Sequence, residues 1–517
     1  MLACCFALSA LAEPPTDALV PVVESWSRLA FRHPEVTSGR LPWDPPLLRA
    51  LSDDDPAEAW RRVVVDLPPA DGVPYEAPDG PDVHPWLRVD GHRLGWHPPT
   101  HSDDDLPAEP LRMLAVARTW AVLRWAYPYM DGHEARWLEA LPIALQAARD
   151  ATTPQAYHGA LDAMIAVLPD GHLEVEGPTD RRPRHTTPFA VRADRADRPW
   201  VLAVGPGAPA ALRPGDRLLA VDGEPWSTLV DRVAPHGIGG TPVTRAEDRI
   251  QRVFEHLDGV HRVTVGGAVG RRVVEVPLGR RGVFPRPTPL PDHAVRREDA
   301  FAVLDLQRLR DDGLGEAMEQ VRDVPGLVVD GRGYPPYLPQ QLVSCLSSEE
   351  VPTHEVRTLR LQEPERWHTE VTQLGGAHCP GPRYEGPVVL LLDRITYSRG
   401  EYIAQAIASV PRIVTLGEPT AGTDGNRVGL PLPGRVTVWH SSVGIALPDG
   451  TAVQGVGLQP HVDAPVTRRG VRRGRDEPMQ AALDCLRTQL SSGRAWASSG
   501  RSEAARASRC SRWAARR

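Results

Sequence analysis

From residue 111 the apolar positions step by three and four. Met113, Val116, Trp120, Leu123 and Tyr127 form one stripe, Leu138, Leu141 and Leu145 a second, and Tyr157, Leu161, Met164 and Leu168 a third. That period places each set on one helix face, so residues 111–178 are predicted to hold three helices packed on one another. The third begins at Thr153-Pro154 and ends at Pro169-Asp170-Gly171-His172, after which "LEVEG" alternates as a strand. Between about 185 and 285 the pattern changes to short strands with glycine turns: "PWVLAVG", "DRLLAVDG", "HRVTVGG" and "RRVVEVPLG". From 290 to 490 it changes again. The apolar runs "AFAVLDL", "GLVVDGRG", "PVVLLLD" and "RIVTLGE" alternate with helical stretches at 313–324 and 399–410, the order of a sheet with crossover helices. "RVTVWH" and "VGIALPDG" read as a hairpin, and "GRDEPMQAALDCLRTQL" as a closing amphipathic helix.

The flanks differ from this middle. Residues 13–110 are rich in Pro, Trp and Asp, and "SDDD" at Ser52 and again at Ser102 reads as helix N-termini where acidic groups meet the dipole. Residues 1–12 give an apolar run ending Ala10-Leu11-Ala12, the form of a secretory signal without its basic start, so export to the periplasm or exterior is expected. The tail 491–517 holds seven arginines, one acidic residue and no Leu, Ile, Val or Phe; it is predicted to be disordered.

Composition narrows the chemistry. The formal charge is −7 and no lysine occurs, so all 59 basic residues are arginine and no lysine can serve as general base or Schiff base. No nucleic-acid partner is expected, and no run of ~18 apolar residues predicts a membrane span. H-E-x-x-H, C-x-x-C and G-x-S-x-G are all absent, so neither a metal nor another cofactor is called for. "GPGAPA" matches a dinucleotide loop in form, but Pro206, Pro209 and the following "RPGD" leave no helix to receive a pyrophosphate. Cys345 and Cys379 are expected as buried free thiols, with a disulfide between them as the alternative in an oxidising compartment.

The stretch "DRITYSRGEYIAQAI" follows the apolar run "PVVLLLD" and opens a helix. Ser398 with Glu401 three residues on has the form of a capping box; a serine at that place also faces free N–H groups that would favour an oxyanion. Spacing alone favours the cap, whose loss would cost about 1 kcal/mol.

Two resemblances bear on the choice. "APAALRPGDRLLAVDGEPW" resembles a PDZ domain, which implies that residues 185–285 bind extended peptide and do no chemistry. The series "PDGH", PDZ-like module, "VVDGRGYP", then "TYSRGE" and "GEPTAGTDGN" resembles the tail-specific, or C-terminal-processing, protease family. The resemblance implies an α/β core of crotonase/ClpP-like β-α type, polypeptide substrates, and a nucleophile at Ser398 with Glu401 behind it. It also implies oxyanion donors at the N–H groups of Gly333 and Arg399. The common form uses a lysine where Thr423 stands here, so the sequence is more similar to the tricorn-core branch, which uses a histidine at the place of His172. An imidazole base predicts an acid limb near pH ~6–7. In that branch a serine precedes the histidine and a glutamate lies near the C-terminus. Here Gly171 and the region of Gln454 stand instead, leaving Asp170, Glu418 and Asp424 as candidates to orient His172. "DGH" also occurs at His92 and His133, without the helix-to-strand context. The competing readings are a ligand-binding scaffold like the retinoid-binding repeats and a crotonase-like acyl enzyme.

Overall fold

The computed structural model describes residues 16–32, 36, 43–53, 55–65, 87–90, 93–96, 104–178, 187–194, 198–278, 293–336, 340–360, 367–376 and 378–491. The leader-like residues 1–12, Ser102, His92 and the tail beyond 491 lie outside them.

The helices Glu109–Ala126, Glu134–Asp150 and Pro154–Ile165 share one apolar core with Thr16–Arg32 and Asp44–Leu51. Pro154 occupies the first turn of its helix, where no N–H is needed, and Thr153 Oγ1 accepts from Ala156 N–H at 3.1 Å. Trp120 and Trp137 lock the first two helices by each donating its indole N–H to the other's carbonyl, at 2.9 and 3.0 Å. The inward stripe of the second helix is thus Trp137, Leu141 and Leu145, while Leu138 is 40% exposed, a correction to the predicted stripe. Ser52 follows the helix Asp44–Leu51, and it is Asp55 that accepts from Glu58 N–H to begin Pro56–Val65.

The core sheet has the strand order Val295–Glu298, Phe301–Asp305, Leu327–Asp330, Val388–Leu392, Val414–Gly417, Val462–Asp463, parallel throughout except for the first pair. Its four inner strands are buried on both faces, which explains the unbroken apolar runs. Leu327, Val329, Val388, Leu390 and Leu392 pack beneath the helices Leu314–Val321, Gln340–Leu346 and Arg399–Ala408. Val328, Val389 and Leu391 face the closing helix Glu477–Ser491.

Two long strands, Glu350–Leu359 and Trp367–Gly375, form an antiparallel pair that the sequence pattern missed. Their charged interior positions break the apolar alternation. "RVTVWH" and "VGIALPDG" do not pair with each other. Val436–Ser441 sits between Arg427–Leu432 and Glu174–Glu176, whereas Gly444–Ala446 joins Glu350–Leu359. Cys345 and Cys379 are joined in a disulfide, against the expectation of free thiols.

The β-rich module folds around its own core, in which Phe189, Trp226 and Phe254 meet. Its strand Phe189–Ala193 faces the unit built on the core sheet through buried ion pairs. Glu418 binds both Arg192 and Arg394, and Arg394 also reaches Glu247 and the carbonyl of Ala193, each at 3.1 Å.

Candidate active site

Ser398 stands at the carboxyl end of the sheet, where the chain leaves Val388–Leu392 and enters Arg399–Ala408. Open parallel sheets place their ligand sites at that end. Its backbone is φ 51°, ψ −121°, a left-handed conformation costly for a residue with a Cβ. The hydroxyl makes no capping hydrogen bond, so the capping box is not formed. A serine held with positive φ at the start of a helix cannot turn its Oγ back onto the first-turn amides, and it stays half-buried with an unengaged hydroxyl among the described residues.

Glu401 is fully buried and serves the neighbouring loop instead of the serine. It accepts from Thr420 Oγ1, from Gly422 N–H at 2.9 Å and from Thr423 N–H at 2.7 Å. Burial, with Asp424 nearby, pushes its carboxyl up to about 8, although the three donors favour the charged form.

The loop so held ends in Thr423, which joins the two halves of the site. Its carbonyl accepts from Ser398 N–H at 2.6 Å, and its Oγ1 accepts from Gly171 N–H at 2.8 Å. Gly171 leaves only a hydrogen's room there, since a Cβ would meet that Oγ1 at 2.7 Å. Next along the chain, His172 is buried, with its backbone N–H donating to Asp170 Oδ1 at 2.8 Å.

The imidazole is oriented by a residue that sequence reading passed over. His172 Nδ1 lies 2.8 Å from Ser441 Oγ, and Ser441 donates its own proton to the carbonyl of Asp424 at 3.3 Å. With that proton committed, Ser441 Oγ acts as acceptor, so Nδ1 carries the hydrogen and Nε2 keeps its lone pair. Burial lowers the His172 pKa below its ordinary value; Asp170 opposes this and Arg427 adds to it.

Of the three candidate orienting acids, Asp170 comes nearest, with Oδ1 3.8 Å from Nδ1. The Asp424 side chain accepts instead from Gln405 Nε2 at 2.8 Å and Gly425 N–H at 2.7 Å, and burial raises its pKa to about 7. Glu418 is occupied by Arg192 and Arg394 and does not touch the ring. Gln454, at the place where the branch has a glutamate, bridges Asp424 N–H and the carbonyl of Pro169, each at 2.9 Å.

The two expected oxyanion donors differ. Arg399 N–H, at the head of its helix, has no partner among the described residues. Gly333 N–H does: it donates to the buried Asp393 Oδ1 at 3.2 Å, which corrects its expected availability. Beside them the exposed rings of Tyr334 and Tyr397 lie 4.9 Å apart, with the Arg399 guanidinium over Tyr334. Among the described residues, no cluster of His, Cys, Asp or Glu could hold a metal ion, and no helix is long and apolar enough to cross a membrane.

Residues 301–464 match the model of peptidase family S41. The core is an S41 peptidase core. Among solved structures, mature CPAF is similar over 74% of this chain and 97% of its own, with 14% identity and a TM-score of 0.56. Mature CPAF complexed with lactacystin gives 13% identity, 74% and 98% coverage, and a TM-score of 0.55. The photosystem II D1 C-terminal processing protease is similar over 71% of this chain and 98% of its own, with 17% identity and a TM-score of 0.42. At these identities the likeness to CPAF is one of fold. No curated protein sequence matches the chain. The S41 match covers Gly333, Ser398, Arg399, Glu401 and Ser441, while His172 lies before it, on the helical region.

Proposed function

We propose that the chain is a serine-type, C-terminal-processing peptidase that hydrolyses peptide bonds through an acyl-enzyme on Ser398, with His172 as base. The observation that carries the reading is Thr423. Standing where the common form has its lysine, it ties the backbone of the serine to the segment that presents the histidine. Ser398 Oγ attacks the carbonyl carbon and its proton passes to His172 Nε2, the nitrogen left free by the Ser441 contact. The imidazolium then protonates the departing amine, and water releases the acyl group. Arg399 N–H faces the developing oxyanion; for Gly333 N–H to join it, Asp393 must give up its bond. Hydrogen bonds between nucleophile and base commonly tighten only when substrate is bound. The Cys345–Cys379 disulfide supports export to an oxidising compartment.

One observation favours a ligand-binding scaffold of the same fold: the engaged Gly333 N–H. A fluorophosphonate probe separates the two. It should label the wild type and not Ser398→Ala, and His172→Ala should lower peptide turnover by roughly 10³-fold. An unlabelled wild type leaves the scaffold.

A further inference from the structure

Asp170 is completely buried, and only half of its carboxylate is used. Oδ1 accepts the backbone N–H of His172 at 2.8 Å and faces the ring Nδ1 at 3.8 Å, whereas Oδ2 has no hydrogen-bond partner among the described residues. A buried carboxylate oxygen without a donor is unfavourable, and it makes the group easier to protonate. Yet its charge is needed here. Burial and Arg427 oppose a charge on His172, and Asp170 is what favours it.

The group placed to supply the missing donor is Tyr127, where the chain leaves the helix Glu109–Ala126. Its ring is buried, and its Oη is likewise without a partner among the described residues. Burial and then the charge of Asp170 raise its pKa well above the ordinary value, so the phenol keeps its proton. It stands within reach of Asp170 and Gln454 but has closed a hydrogen bond of ordinary geometry to neither. Tyr129 shows the contrast. The two rings lie 5.6 Å apart, but the Tyr129 hydroxyl is spent, donating to the Asp424 carbonyl at 3.1 Å and accepting from Ile445 N–H at 2.8 Å. The other ionisable groups that feel Asp170 do not compete for Oδ2. His440 is pushed down to about 4, mainly by burial, and is neutral, while the Asp424 carboxyl is tied to Gln405 and Gly425.

We infer that Tyr127 is a positioning residue whose hydroxyl donates to Asp170 Oδ2 and holds that carboxylate, ionised, against His172 while the ring carries its extra proton. The inference rests on the peptidase reading and adds a support behind the base, supplied by the helical region. The protons balance without the tyrosine's. The one that His172 Nε2 takes from Ser398 passes to the departing amine, and Tyr127 Oη keeps its own throughout.

The test uses the full chain with Tyr127→Phe, which removes one oxygen, and Asp170→Asn, whose Oδ1 can still accept from His172 N–H. Titration of the His172 ring, followed by NMR and assigned by its loss in His172→Ala, needs no turnover. Asp170→Asn should lower the midpoint by about one pH unit or more, and Tyr127→Phe should lower it by less. In the double variant Tyr127→Phe should add nothing, because the hydroxyl acts through Asp170. On a peptide substrate Tyr127→Phe should cut kcat about tenfold with KM nearly unchanged. A bystander hydroxyl predicts otherwise: with an orphaned oxygen removed, the phenylalanine variant would titrate and turn over as the wild type does. That result overturns the inference, as does an equal effect of Tyr127→Phe with and without Asp170. A wild type that neither labels nor cleaves would sink the peptidase reading alone, since the titration still reports whether Tyr127 acts on His172 through Asp170.

Discussion

Two buried glutamates mark two regions built in opposite ways. Glu401, beneath the loop that joins Ser398 to His172, is held by a hydroxyl and two backbone N–H groups, and its pKa is pushed up to about 8. Glu418, at the seam between β-rich module and core, is held by Arg192 and Arg394, and its pKa is lowered despite burial. Both are buried: two arginine partners overcome that burial at Glu418, and three neutral donors do not at Glu401. In a chain whose only strong cation is arginine, guanidinium groups fasten the module to the core. Beneath the candidate chemistry, neutral dipoles hold the backbone, and burial raises the pKa of Glu401 and Asp424 while it lowers that of His172.

The largest effect should come from breaking the seam. Glu418→Gln leaves Arg192, itself buried, without its anion, and removing one member of a buried pair costs about 3–5 kcal/mol. Thermal unfolding should show a drop of that size. The pair's pH dependence follows from the lowered pKa. Its stabilisation is present above the unfolded value of 4.5 and is lost only as pH falls through the lower folded value. A variant with an unchanged melting point would mean that the seam carries little of the fold.

Glu401→Gln probes the other region and should act on rate. A carboxamide turns an NH₂ toward one of the amides that Glu401 now accepts from, so the loop carrying Thr423 shifts. We expect kcat to fall by roughly 10²-fold with KM nearly unchanged, as for a residue that positions and does not bind. The linkage has the opposite sign to that of Glu418. With a folded pKa near 8 above the ordinary 4.5, the native state holds the extra proton, so this group's contribution falls as pH rises through that window. The glutamine variant should lose that slope in a melting-point series from acid to mildly alkaline pH.

Much of this fold was legible because its sheet is buried on both faces. Val388–Leu392 and Leu327–Asp330 announce themselves as apolar runs, and the helical region shows its period. The pair Glu350–Leu359 and Trp367–Gly375 was not legible, since half-exposed strands with charged interiors carry no clean alternation. Ser398 was visible as a position, but spacing could not tell nucleophile from cap, because the deciding quantity is its φ of 51°. His172 stood out only through the family resemblance. Ser441 was invisible: it ends a strand in "VWHSS", and its contact with His172 spans 269 residues of chain. Gly333 misled for a similar reason, its N–H being taken by Asp393 sixty positions away.

Removing Ser441 should have a moderate effect. In Ser441→Ala the imidazole loses the acceptor that keeps hydrogen on Nδ1, and the neutral ring is free to place it on Nε2, where it cannot act as base. We expect kcat/KM to fall about tenfold, close to the worth of one hydrogen bond. The wild-type profile carries a linked expectation. Because burial lowers the His172 pKa from 6.5, the acid limb should begin below that value, lower than the ~6–7 expected from an ordinary imidazole. A limb at or above 6.5 would assign the titration to another group.

The smallest effect is expected where the sequence promised a measurable one. A capping serine replaced by alanine would cost about 1 kcal/mol. Ser398 makes no such bond, and its backbone N–H is engaged by Thr423 whatever the side chain. Ser398→Ala should therefore unfold within about 0.5 kcal/mol of the wild type. Ser398→Gly should be slightly more stable, since glycine adopts a φ of 51° without the strain a Cβ meets there, a relief of about 1 kcal/mol. Both melting points are read without substrate, so activity does not enter the result. If alanine cost the full value of a cap and glycine gained nothing, Ser398 would be acting as the helix cap that its spacing from Glu401 suggested.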